Sequence, residues 1–321
     1  MRRSYMKSGS TKGRRTGVLL AVATALISGV AVFINGYGVR AFNGTADPVT
    51  YTTFKNMVAA VVIGSVAVGA AKRRAAGRIT LPSGVGQWFG LSVVAVIGGA
   101  LAFALFFEGL SRVSSSQAAF VHKTLIVWVG ILAVGLLHEK VTPLHGFALV
   151  LLIAGQYLVV GGVGDVTFGS GELLMFAATL LWSVEIVVAK RLLSAMSPLT
   201  VGFARMGGGV VVLAIYGVVS GGIASMGTVT LTQVGWIALT GLVLSAYVMT
   251  WYSALALAPA IDVTAILVGG AVVTALLRTV VAGTPVGSPL GLVFVSLGVG
   301  ALVVAALGLT RRQIWAARAG T

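Results

Sequence analysis

Glu185 and Trp182 stand three residues apart in "ATLLWSVEIVVAKRLL", a spacing that sets both on one side of a helix. A carboxylate inside so apolar a run has three uses: it binds an ammonium, carries a proton, or neutralises a buried cation. Cations lie in equally apolar surroundings. Lys123 follows His122 in "QAAFVHKTLIVWV", about 100° further round the helix, so the two need not share a face. Lys55 and Arg205 each fall about two turns inside an apolar run. A charge at the centre of a membrane helix costs roughly 2.5–3.5 kcal/mol on insertion scales, so it turns to an aqueous interior or snorkels to the interface.

Other polar groups complete the candidate set. Glu108 lies near the end of its apolar run, where it meets either a bound solute or headgroup water. Tyr247 and Trp251 are one turn apart and form either an aromatic wall or part of an interfacial belt. The candidate binding residues are therefore Glu185, Lys123, Trp182, His122, Glu108, Tyr247 and Trp251. Lys55 and Arg205 are expected to be structural, bonding carbonyls at broken or loop-capped helix ends. Asp262 suits a helix N-terminus as a first-turn acid.

Catalytic and metal chemistry find little support. His138, Glu139 and His145 lack the His-Glu-x-x-His spacing of a zinc helix, and no Gly-x-Ser-x-Gly elbow occurs. With 0 Cys there is no disulfide or thiolate chemistry. No catalytic residue, metal or cofactor is expected.

The elements that position these groups are set by composition. Hydrophobic residues make up 58% of the 321 and charged residues 9%, and mean hydropathy is +1.04, which describes a chain whose solvent is lipid. Apolar segments run over 17–38, 49–70, 88–110, 115–137, 143–162, 173–190, 199–220, 233–252, 259–282 and 289–308, each near the roughly 20 residues that a spanning helix needs. Backbone groups find no partner in hydrocarbon, so these segments are expected to be helices. The fold expected is all-α and integral to the membrane, with ten transmembrane helices.

A net charge of +15 is compatible with nucleic acid, but the basic residues fall where orientation signals fall. Arg2, Arg3, Lys7, Lys12, Arg14 and Arg15, then Lys72, Arg73, Arg74 and Arg78, then Lys140, Lys190, Arg191, Arg311, Arg312 and Arg318 occupy one side of the threading. Only Arg40 and Arg112 occupy the other. Both termini are thus expected in the cytoplasm, the chain in a cell membrane, and nucleic acid is not a partner. The first apolar run, from Gly17 to about Val39, is longer than a signal-peptide core of roughly 7–15 residues and reads as an uncleaved span.

The two halves resemble each other. "EGLSRVSSS" through "VTPLHGFALVLLIAGQYLVV" aligns with "SALALAPAI" through "PVGSPLGLVFVSLGVGALVV" at an offset of 145, and "DPVTYTTFK" matches "SPLTVGFAR", so Lys55 corresponds to Arg205. Five spans per half force the second half to enter from the opposite side, so the repeats are expected to be inverted. Inverted repeats rocking about a midplane site are an architecture of secondary transporters. Duplication that only builds a scaffold is the plainer alternative. The organisation expected is a basic tail over 1–16, a first repeat over 17–162, a linker over 163–172, a second repeat over 173–309 and a basic tail over 310–321.

"ILAVGLLHEKVTPLHGFALVLLIAGQYLVVGG" and "ATLLWSVEIVVAKRLLSAMSPLTVGFARM" carry a further likeness. Over residues 17–309 the sequence resembles the EamA-type family of the drug/metabolite transporter superfamily. It departs from the family pattern at His138 and Glu139, where Gly-Glu is common, at Gly283 and Thr284, which lack the acid, and near Ile126, where a proline is usual. The resemblance implies two inverted five-helix repeats around a cavity lined by helices 1, 3, 4, 6, 8 and 9, and export of amino acids or related small metabolites. Under that reading the partners are a small-molecule substrate, the lipid bilayer and coupled protons. A non-transporting scaffold or lipid-binding protein, and an enzyme acting on lipid-linked substrates, are the alternatives.

Overall fold

The computed structural model describes residues 11–42, 48–72, 80–110, 112, 121–160, 169–222, 229–283 and 288–319. Every regular element among them is helical. In chain order these are α1 (Thr11–Ala41), α2 (Pro48–Lys72), and α3, which runs from Val85–Val93 through a π-helical Val94–Leu101 into Ala102–Leu110. Then come α4 (Val121–Leu137), α5 (Pro143–Val160) and α6 (Ser170–Leu192). Helix α7 joins Pro198–Phe203, a π-helical Ala204–Gly208 and Gly209–Val219. Last are α8 (Leu231–Leu257), α9 (Ala260–Leu267 then Gly270–Ala282) and α10 (Pro289–Ala319).

Among the described residues 8 helices are long and apolar enough to cross a membrane, while α4 and α5 are shorter apolar helices. Each of the ten apolar segments falls on one of these helices. The outer portion expected for α4, residues 115–120, lies outside the described residues, as does most of the 163–172 linker. Helix α1 begins at Thr11 and α10 continues to Ala319, each running into a stretch expected to be a basic tail. Lys, Arg, Gln and Ala there are good helix formers, and cations suit the C-terminal end of α10.

Local chemistry sets the helix starts. Ser197 caps α7 by accepting the Thr200 amide, with Pro198 at the first helical position. Thr230 and Gln233 form a reciprocal capping box at the start of α8. Glu172 reaches back to the Gly169 amide at the start of α6.

Packing follows the repeat. Helix α1 lies against α8 as α6 lies against α3, α2 lies against α8 as α7 lies against α3, and α5 pairs with α10. The scheme is unchanged when the halves are exchanged. The offset of 145 also carries over to backbone detail. Thr124 precedes the second part of α4 and Gly269 precedes the second part of α9. His138 (φ 56°) and Gly283 (φ 62°) end those helices in the left-handed region. Helix α4 breaks at Thr124, whose amide and hydroxyl both donate to the Val121 carbonyl, at 3.2 and 2.7 Å.

The buried centre holds Tyr51, Trp251, Tyr252 and Glu185, while Leu19, Val61, Val211, Val280 and Val304 point outward and exposed. An apolar exterior around a centre that contains charge is the pattern of a protein solvated by lipid.

Candidate functional site

The site is built around Gly98. Within the π-helical part of α3 a carbonyl is released from the regular i→i−4 ladder, and the Gly98 carbonyl accepts the Trp182 indole N–H at 3.1 Å and the Arg205 Nε–H at 3.4 Å. A side chain at Gly98 would collide with Glu185, one at Gly99 with the Arg205 carbonyl, and one at Gly209 with the Gly99 backbone. These glycines let α3, α6 and α7 approach closely enough to enclose charge.

Glu185, 1% exposed, accepts the Tyr252 hydroxyl at 2.5 Å through Oε1 and faces Arg205 Nη2 at 4.0 Å through Oε2. Arg205 lies over the Phe103 ring at 5.6 Å, a cation–π arrangement that adds attraction where water is excluded. Tyr247 is within electrostatic reach of both Arg205 and Glu185, and its ring stacks on Trp251 at 6.1 Å. Helices of both repeats thus contribute: α3 from the first, and α6, α7 and α8 from the second. Arg205 bonds a carbonyl in the middle of α3 rather than at a helix end, and it is also the counter-ion of Glu185, a role its spacing did not reveal.

Beside this group lies an aromatic cluster. The His122 ring meets Trp182 at 5.1 Å and Phe106 at 5.3 Å, edge to face, and Phe103 and Phe106 both contact Trp182. Nδ1 of His122 is buried without a hydrogen-bond partner among the described residues. Lys123, at the break of α4, is partly buried and has no ion-pair partner among them.

Lys55 departs from its expected role. Its ammonium donates to the Asn35 side-chain oxygen at 3.3 Å and sits over the rings of Phe107 at 5.1 Å and Tyr51 at 5.4 Å, rather than bonding a carbonyl. The first half presents the Asn35 side-chain oxygen to Lys55 where the second presents the Glu185 carboxylate to Arg205, and no acid pairs with Lys55 among the described residues. Glu108 does not join Glu185. It is exposed and pairs with Arg112 one turn on, at 2.5 Å.

A second ionic group holds the opposite end of the bundle from Arg40. Asp262 accepts from Arg14 at 3.1 Å and pairs with His145 Nε2 at 2.9 Å. Glu139 accepts the Ala260 and Ile261 amides at 2.7 and 3.0 Å, which caps α9. Lys190 donates to the Leu255 and Ala258 carbonyls. The first-turn place expected for Asp262 is observed, and it serves an ion-pair network as well.

No group of His, Cys, Asp and Glu that could hold a metal occurs among the described residues. A groove between α2 and α7, lined by Ala60, Gly64, Ser65, Phe203 and Gly207, is apolar and contains none of the candidate residues.

The model of the EamA-like transporter family matches residues 15–161 and again residues 169–306. This chain belongs to the EamA-like transporter family. Its two matched stretches are the two halves that exchange in the packing scheme. A solved structure described only as the crystal structure of a protein shares the fold, with a TM-score of 0.68 at 16% identity over 91% of this chain and 98% of the other. No curated protein matches significantly.

For this EamA-family chain, sequence spacing missed Tyr252, Phe103, Phe106 and the Gly98 carbonyl. A signal for the phenylalanines was present: Phe103, Phe106 and Phe107 follow the i, i+3, i+4 pattern of one helix face. None existed for Gly98, because a π-helical turn leaves no mark among 44 glycines.

Proposed function

We propose that this protein is a secondary transporter of small polar metabolites, working as ten spans in two inverted five-helix repeats and moving its substrate outward by alternating access. Family membership supports transport, and the odd number of helices in each repeat supports inversion. The observation that carries the site is the buried Glu185–Arg205–Tyr252 group, closed on one side by α3 of the other repeat and bordered by Trp182, Phe106 and His122.

A charge buried this deeply is sensitive to any partner that arrives. A substrate ammonium that reaches Glu185 competes with Arg205 for the carboxylate, and a substrate carboxylate competes with Glu185 for the guanidinium. Either event changes the contacts between α6, α7 and α3, which belong to different repeats. Differential contact in two states is what a ligand needs in order to shift their populations. The network around Asp262, Glu139 and Lys190 acts as the inner closure, with Lys72, Lys140 and Arg191 on the cytoplasmic face.

The experiment is counterflow in sealed proteoliposomes that carry the purified protein, with mixed labelled amino acids and organic metabolites. Accumulation above protein-free vesicles is expected, and an imposed pH gradient is expected to alter it if protons are coupled. Folded protein that exchanges nothing in the panel would favour the scaffold alternative.

A further inference from the structure

We propose that the substrates carry net negative charge, and that Lys55 and Lys123 are the groups that meet it. This rests on the transporter reading above. Of the 7 Asp and Glu in the chain, Glu185 alone among the described residues lies deep within a span. Glu139 and Glu172 hold helix starts, Asp262 holds Arg14 and His145, and Glu108 holds Arg112. Glu185 is itself committed to Arg205 and Tyr252. Three cations, Lys55, Lys123 and Arg205, lie inside the spans with that one acid, while Arg278 is exposed near the end of α9 and Lys190 is held by the Leu255 and Ala258 carbonyls.

Lys55 is 3% exposed, and the groups around it are dipoles and rings: Asn35, Tyr51 and Phe107. Lys123 makes no ion pair among the described residues. The two are joined through one aromatic run on α3, because Phe107 over Lys55 touches Phe106 at 5.5 Å, and Phe106 touches His122 beside Lys123. The uncompensated fixed charge along this side of α3 is positive. A zwitterion would bring an ammonium that needs a second free acid, and none is there among the described residues. Carboxylates and phosphate monoesters with no amine, or with more acids than amines, match the charge that is missing.

Two measurements test this. In counterflow, wild-type protein is offered a panel of labelled di- and tricarboxylates and phosphate monoesters alongside zwitterionic amino acids and polyamines. The anions are expected to exchange faster, and Lys55→Gln and Lys123→Gln each to slow them about tenfold or more, the loss that follows removal of a charged hydrogen-bond partner. Zwitterions or polyamines exchanging as fast as the anions, or undiminished anion exchange in both variants, would overturn the proposal. If nothing in the panel exchanges, the transport reading fails separately, and thermal unfolding with succinate decides the charge question. A rise in Tm for wild type that is absent in the double Gln variant supports the anion site, and no rise overturns it.

Discussion

Arg205 and Glu185 face each other at 4.0 Å from adjacent helices of one repeat, both buried, with the guanidinium also resting on a carbonyl and a ring of the other repeat. Removing water from two charges is costly, and their mutual attraction offsets the cost only while both remain. Glu185→Gln keeps an acceptor for Tyr252 but strands the guanidinium. The expected loss of stability is about 3 kcal/mol. Pairing it with Arg205→Met is expected to recover most of that loss, as a double-mutant cycle on unfolding in mild detergent would show.

A methyl group at Gly99 would meet the Arg205 carbonyl and one at Gly209 would meet the Gly99 backbone, so neither position has room for it. Gly99→Ala and Gly209→Ala are each expected to destabilise the protein by roughly 1–3 kcal/mol, the range for overpacking a tight interior. Gly86, which faces open space, is the control: Gly86→Ala is expected to be neutral or mildly stabilising in the same thermal assay.

His138 holds φ 56°, while its repeat partner Gly283 holds φ 62°. A side chain in that region costs roughly 1–2 kcal/mol. His138→Gly is expected to raise stability by about 1 kcal/mol, and Gly283→Ala to lower it by about as much. A thermal shift of opposite sign for the two variants checks both.

Glu139 caps α9 from the α4–α5 connection with two bonds to backbone amides. Loss of a cap costs about 0.5–2 kcal/mol, so Glu139→Ala is expected to fall in that range. Hydrogen exchange in Ala260–Leu267 should accelerate while that of Gly270–Ala282 changes less.

Much of the architecture was legible because lipid allows so few solutions. Every apolar segment is helical within the described residues, and the offset of 145 reached down to the caps at His138 and Gly283 and the breaks at Thr124 and Gly269. The site was legible only in part. Periodicity placed Glu185 beside Trp182, but it could not show that Arg205 turns toward Glu185 while Lys55, its repeat partner, finds only Asn35 and two rings. That difference arises from a third element, α1, which presents the Asn35 amide to Lys55 where α6 presents the Glu185 carboxylate to Arg205. Glu108 is likewise exposed and pairs with Arg112 one turn away at the surface.

Counterflow by wild type and Glu185→Gln, reconstituted side by side at equal folded amounts, tests the central claim most directly. If a carboxylate buried between the repeats operates the site, exchange by Glu185→Gln should fall to nearly that of protein-free vesicles for every compound the wild type carries. Exchange at the wild-type rate would contradict it.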